Sequence, residues 1–103
     1  MKNYKIITSP RAIQDVEDIA DYIGNKLFAP RSAEKFIDKV VETYERLSTF
    51  PEMGTELKKE FALKFQYRWV LIDNYILFYT VKEDTVIVMR VLFSSRNYMN
   101  ALE

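Results

Sequence analysis

The chain has 103 residues, 49% of them apolar, with only two glycines and three prolines, no cysteine and no histidine, and its 15 basic side chains cancel 15 acidic ones. That composition suits one packed domain spanning 1–103 rather than a disordered chain. It excludes disulfides, thiolate metal sites and serine–histidine or cysteine–histidine catalysis. No apolar run approaches the ~18–20 residues that span a bilayer, and the first ten residues hold no signal-peptide core, so the chain reads as cytoplasmic with no membrane role.

Asn3 to Thr8 reads as a short strand carrying Tyr4, Ile6 and Ile7. Ser9-Pro10 is a helix start, because serine caps the free N–H groups and proline at the first position forfeits a donor that has no partner anyway. Ile13, Val16, Ala20, Ile23 and Leu27 then recur at steps of three and four, which is one apolar stripe of a helix. Ala29-Pro30 breaks it. A second and stronger stripe runs through Ala33, Phe36, Ile37, Val40, Tyr44 and Leu47 until Phe50-Pro51 ends it. The short connection implies an antiparallel helical hairpin.

Glu52 to Gln66 has little periodicity, a turn signal at Gly54, and three lysines, Lys58, Lys59 and Lys64. Three runs rich in β-branched and aromatic residues follow: Tyr67–Asp73, Tyr75–Val81 and Thr85–Phe93. The short polar breaks between them predict an antiparallel meander. Ser94 to Glu103 reads as a short terminal helix whose Tyr98, Ala101 and Leu102 can pack back. The expected class is α+β: an N-terminal strand, then a two-helix hairpin packed on one face of an antiparallel sheet that the meander completes, β-α-α-β-β-β, with a short C-terminal helix. The other sheet face is then open for function.

Strand alternation puts Arg68 with Val70 and Ile72, and Arg90 with Val86, Val88 and Leu92. Each arginine interrupts an apolar run. An arginine in a half-exposed strand is ordinarily solvated or paired with a nearby acid. The functional alternative is that both face away from the helices and converge as a phosphate or carboxylate receptor, because the guanidinium is a planar fork of donors that stays charged. Arg96 and Tyr98 would border that surface, and Lys58, Lys59 and Lys64 would form its rim, although exposed lysines are more often a solvated face. Tyr67, Trp69, Tyr75 and Tyr79 read as strand packing rather than a base-stacking platform. Asp15, Asp18 and Asp21 lie at helical spacing, but without histidine and off the apolar stripe they read as a solvated face, so no metal and no cofactor is expected. Charge is uneven: between Ile13 and Glu52 five basic side chains face nine acidic ones, a net of −4, and the remainder of the chain carries +4.

Taken in order, Ser9-Pro10, Asp18-Ile19-Ala20-Asp21-Tyr22-Ile23, Ala33, Phe36, Leu47, Pro51 and Gly54 resemble the helical hairpin of ParE-like toxins of the ParE/RelE superfamily. Tyr67-Arg68, Tyr75-Ile76-Leu77-Phe78-Tyr79 and Arg90-Val91-Leu92-Phe93, followed by Arg96-Asn97-Tyr98, resemble that family's meander and tail. The resemblance covers nearly the whole chain. It implies the toxin half of a type II toxin–antitoxin pair, also known as a plasmid-stabilisation system, which arrests growth unless a cognate antitoxin masks it. ParE-like members poison DNA gyrase and need no catalytic residues. RelE-like members cut mRNA on the ribosome without a metal, and by that resemblance Arg68 and Arg90 match two of their arginines and Tyr98 loosely their tyrosine. Phe93 stands where ParE-like sequences frequently carry histidine. With no histidine, zero net charge and a long hairpin, gyrase is the leading target. The alternatives are a ribosome-dependent endoribonuclease and a non-toxic relative that only binds its antitoxin.

Overall fold

In the computed structural model, residues 3–58, 64–95 and 98–102 are described. Strand β1 spans Lys5–Thr8 and leads directly into helix α1, Pro10–Asp21. The Ser9 hydroxyl accepts the Ala12 N–H at 3.1 Å, and Pro10 occupies the first turn, so the start signal operates as its chemistry dictates. A single π-helical turn, Tyr22–Lys26, follows, closed by the Leu27 N–H on the Tyr22 carbonyl at 3.0 Å. Helix α2 spans Pro30–Thr49 and buries Phe36, Val40, Thr43 and Leu47. The spacing of these four holds one face inward over more than three turns. Phe36 is 2% exposed. The inward face of α1 differs from the expected stripe. Ala12 is fully buried, whereas Ile13 and Leu27 are exposed. The small Ala12 lets the helix approach the sheet closely, and that contact sets its rotation.

The sheet continues with β2 (Thr55–Glu56), β3 (Arg68–Ile72), β4 (Tyr75–Lys82) and β5 (Thr85–Phe93), in spatial order β1-β5-β4-β3-β2. The last three strands form the expected antiparallel meander, joined by the two-residue turns Asp73-Asn74 and Glu83-Asp84, each opening on a residue with positive φ. The sheet as a whole is mixed rather than antiparallel, because β1 runs parallel to β5, Lys5 beside Thr85 through Thr8 beside Val88. The hairpin carries the chain away and back before the meander begins, so β1 meets β5 in the same direction. Strand β2, which has no periodic signal, covers only Arg68 and Trp69 of β3.

Helices α1 and α2 lie on one face over Val70, Ile72, Leu77, Tyr79, Val86, Val88 and Val91. The opposite face is not left open. Helix α3, Tyr98–Leu102, packs there with Tyr67, Phe78 and Leu92, so a second, smaller apolar cluster covers part of the surface expected to be free. No helix among the described residues is long and apolar enough to cross a membrane.

Candidate functional site

A β-bulge decides where Arg90 points. Phe78 pairs with Arg90 but Tyr79 pairs with Val88, so Met89 is an extra residue in β5. The bulge shifts alternation by one position. Val86, Val88 and Val91 therefore face the helices, and Arg90 and Leu92 turn to the other side. This corrects the expected grouping of Arg90 with Val86 and Val88.

Beyond the end of β1 the exposed edge of β5 is taken over by α1. The Ser9 N–H donates to the Val88 carbonyl and the Ser9 hydroxyl to the Met89 carbonyl, both at 2.9 Å. Asp15 then accepts the Val91 N–H at 3.0 Å and the Arg90 fork at 2.7 Å (Nε) and 2.9 Å (Nη2). The third nitrogen, Nη1, donates to the Ala101 carbonyl of α3 at 3.3 Å. The pair is nearly dry, with side chains 9% and 12% exposed. The hydrogen bond it donates to Asp15 pushes the Arg90 guanidinium above its ordinary value despite burial. Arg90 is thus spent on holding α1, β5 and α3 together, and its donors point at protein acceptors rather than at solvent.

Arg68 lies on the helix-side face, directly across from Tyr79. Its Nη1 donates to the carbonyls of Gly54 (2.8 Å) and Glu52 (3.3 Å), and its Nη2 to the Glu56 carboxylate at 3.1 Å. The Tyr79 hydroxyl accepts the Gly54 N–H at 2.9 Å and donates to the Pro51 carbonyl at 2.8 Å. Burial raises the Tyr79 hydroxyl above its ordinary value, against the Gly54 hydrogen bond and the Arg68 charge. Glycine is required at 54, because a Cβ there would stand 2.5 Å from the Tyr79 oxygen. Arg68 and Tyr79 together clamp the turn after α2, beside a shallow cleft of 290 Å³ lined in part by Tyr4, Glu56 and Gln66.

Directly opposed residues share a face, so Arg68 (with Tyr79) and Arg90 (with Phe78) lie on opposite faces of the sheet and do not converge. Tyr98 is on the Arg90 side, its ring 5.1 Å from that of Phe78. Lys58 is exposed just past β2, and Lys64 sits 5.7 Å from the ring of its neighbour Phe65. Lys59 and Arg96 lie outside the described residues. No metal-binding cluster of acidic side chains occurs among the described residues. Asp15, expected on a solvated face, is instead nearly dry and paired with Arg90, and Tyr79, buried as expected of strand packing, carries in addition the two hydrogen bonds that hold the turn. Asp15 had one available signal: a charged guanidinium inside an apolar strand requires a buried acid partner.

The hairpin presents an unusual apolar surface. Phe28 is 89% exposed with a φ of 52°, Leu27 beside it is exposed, Tyr22 is 51% exposed, and Phe93 at the end of β5 is 49% exposed. A bulky side chain in the left-handed region is strained, and such strain concentrates where a surface is used. Exposed aromatics on an acidic hairpin suit a protein-binding surface better than a nucleic-acid groove.

A family model described as the ParE toxin of the type II toxin–antitoxin system parDE matches residues 6–98. Among solved structures, the fold is similar to a chain of the chromosomal ParDE toxin–antitoxin system from P. aeruginosa, with a TM-score of 0.70 and 18% identity, covering 87% of this chain and 95% of that one. No curated protein sequence matches it.

Proposed function

Because the chain belongs to the ParE family of type II toxins, we propose that it arrests growth by binding and poisoning DNA gyrase, and that its cognate antitoxin masks it through the apolar surface of the hairpin. The observation that carries this reading is the engagement of both arginines. Arg90 is forked onto Asp15, and Arg68 is bound to two carbonyls and Glu56. Their positions on opposite faces leave no shared guanidinium site for a scissile phosphate. With no histidine anywhere in the sequence, the usual proton-transfer group near neutral pH is lacking as well.

Purified chain added to purified gyrase tests the proposal. Dose-dependent loss of supercoiling, with intact mRNA on translating ribosomes, is the expected result. Codon-specific mRNA cleavage would overturn it in favour of a nuclease built on Arg68, Arg90 and Tyr98, with Lys58, Lys59, Lys64 and Arg96 as the binding rim.

A further inference from the structure

Where α1 passes into the π-helical turn, a cleft of 340 Å³ opens between the helix and the sheet, lined by Asp18, Ile19, Tyr22, Tyr75 and Phe93. Three of these five residues are aromatic, one is a carboxylate and none is a cation. The Tyr75 ring is fixed from below by Phe36 at 5.2 Å and stands 5.7 Å from Phe93, the two planes inclined at 57°. Tyr22 and Phe93 are half exposed, so both can be reached from outside. Tyr22 is also the first residue of the π-helical turn, and single turns of this kind recur at functional positions. Gln14 Nε2 donates to Asp18 Oδ1 at 2.8 Å and so orients the carboxylate.

Aromatic faces attract a cation through their quadrupole, and a carboxylate at the rim accepts a planar fork. Guanidinium satisfies both demands better than ammonium, because it stacks flat and is less strongly hydrated. The hairpin's net −4 favours approach of a basic segment and disfavours a second copy of the same acidic surface. We propose that this cleft is the receptor for an arginine side chain of the antitoxin. The assignment of the partner rests on the reading that an antitoxin masks the hairpin. The cleft's selectivity for guanidinium stands on its own geometry.

The intact chain is titrated with N-acetyl-arginine amide and with its neutral isostere N-acetyl-citrulline amide, followed by NMR of the Ile19 methyls and the Tyr22, Tyr75 and Phe93 rings. Saturable shifts with the arginine probe, at least about tenfold weaker with citrulline, are expected, since a desolvated cation–π contact contributes on the order of a tenfold factor or more. Asp18→Asn should weaken the arginine probe several-fold and Tyr22→Ala should abolish its binding, with circular dichroism confirming that both variants fold. Equal binding of the two probes, or no saturable shift in this cleft, would overturn the proposal. In a second arm, Tyr22→Ala should weaken the complex with the product of the adjacent antitoxin reading frame at least tenfold. Unchanged affinity there overturns the assignment to the antitoxin. Absence of any complex with the unaltered chain instead sinks the pairing, while the probes still report on the cleft.

Discussion

Asp15 of the first helix and Arg90 of the last strand are joined by a two-pronged contact, 2.7 and 2.9 Å, on the stretch of β5 beyond its pairing with β1. The same carboxylate takes the Val91 N–H, so one side chain completes a sheet edge and neutralises a buried charge. Removing the acid alone strands the guanidinium. Asp15→Ala should therefore destabilise the fold by about 3–5 kcal/mol, the usual cost of an uncompensated buried charge, whereas Asp15→Leu combined with Arg90→Met should cost clearly less than Asp15→Ala. Urea unfolding of the two variants checks this. Equal losses would mean that the pair contributes through packing alone.

Gly54 and Tyr79 form a second coupled pair. A Cβ at position 54 meets the Tyr79 oxygen at 2.5 Å and the Trp69 carbonyl at 2.8 Å. Gly54→Ala should cost about 1–3 kcal/mol as an overpacked site. Tyr79→Phe removes the nearest of the three close atoms and leaves the Trp69 carbonyl and the ring's own Cε1, each at 2.8 Å, so the double variant should be somewhat less destabilised than the sum of the singles. Strict additivity in a thermal or denaturant cycle would show that the turn shifts freely.

Alkaline pH should weaken the fold. Burial raises the hydroxyls of Tyr44, Tyr67, Tyr75 and Tyr79 above their ordinary value of 10.0. As pH climbs past that value the unfolded chain releases these protons first. The folded state then holds more protons, and stability falls with pH. It should be insensitive to these groups below the unfolded value and decline above it, with a shallower decline in Tyr79→Phe. Denaturant midpoints from pH 8 to about pH 11 report this, and a midpoint unaffected across that span would contradict the sign.

How far the sequence disclosed these features depended on whether a residue's neighbours in sequence were also its neighbours in space. The hairpin was legible because Phe36, Val40 and Leu47 keep a 3.6-residue rhythm, and the meander because two-residue polar turns separate β-branched runs. The bulge at Met89 was not, since β5 is apolar at nearly every position and alternation carries no internal marker of a slip. That single inserted residue separates Arg90 from Val86 and Val88, with which strict alternation groups it, and leaves it facing away from the helices as the functional alternative expected, whereas Arg68 faces them. The parallel β1–β5 pairing and the Asp15 contact join residues 80 and 75 apart, beyond any local pattern. The rotation of α1 onto Ala12 was hidden because alanine is a weak apolar signal beside Ile13.

Phe28 offers a test of surface against strain. It holds a φ of 52° and is 89% exposed, so its ring contributes little to the core. Phe28→Gly relieves the left-handed penalty, roughly 1–2 kcal/mol for a side chain with a Cβ, and that gain is partly offset by the greater freedom of glycine in the unfolded chain. The variant should be as stable as the parent or about 1 kcal/mol more stable, yet bind its antitoxin or gyrase more weakly. A variant that is destabilised would mean that the ring is packed after all. One that binds unchanged would remove the hairpin tip from the proposed interface.

Arg68 gives the sharpest separation of mechanism from architecture. Its guanidinium holds the carbonyls of Glu52 and Gly54 and the carboxylate of Glu56, and so ties the turn after α2 to the third strand. A lysine has one ammonium and cannot span these acceptors as a planar fork. Both Arg68→Ala and Arg68→Lys should lower stability by about 1–3 kcal/mol, because the turn loses charge-assisted hydrogen bonds that are only partly screened by water. If Arg68 stabilised charge on a scissile phosphate, alanine would lower a cleavage rate by on the order of 10²–10³ at full folding. On the gyrase reading it has no such role. Once corrected for the folded fraction, supercoiling inhibition by the two variants should stay within about threefold of the parent, less than 1 kcal/mol of binding free energy. Measuring inhibition and unfolding on the same samples makes the two effects separable. An Arg68→Ala protein that is fully folded but inert towards gyrase would place this arginine in the target interface and end its assignment as a clamp for the turn alone.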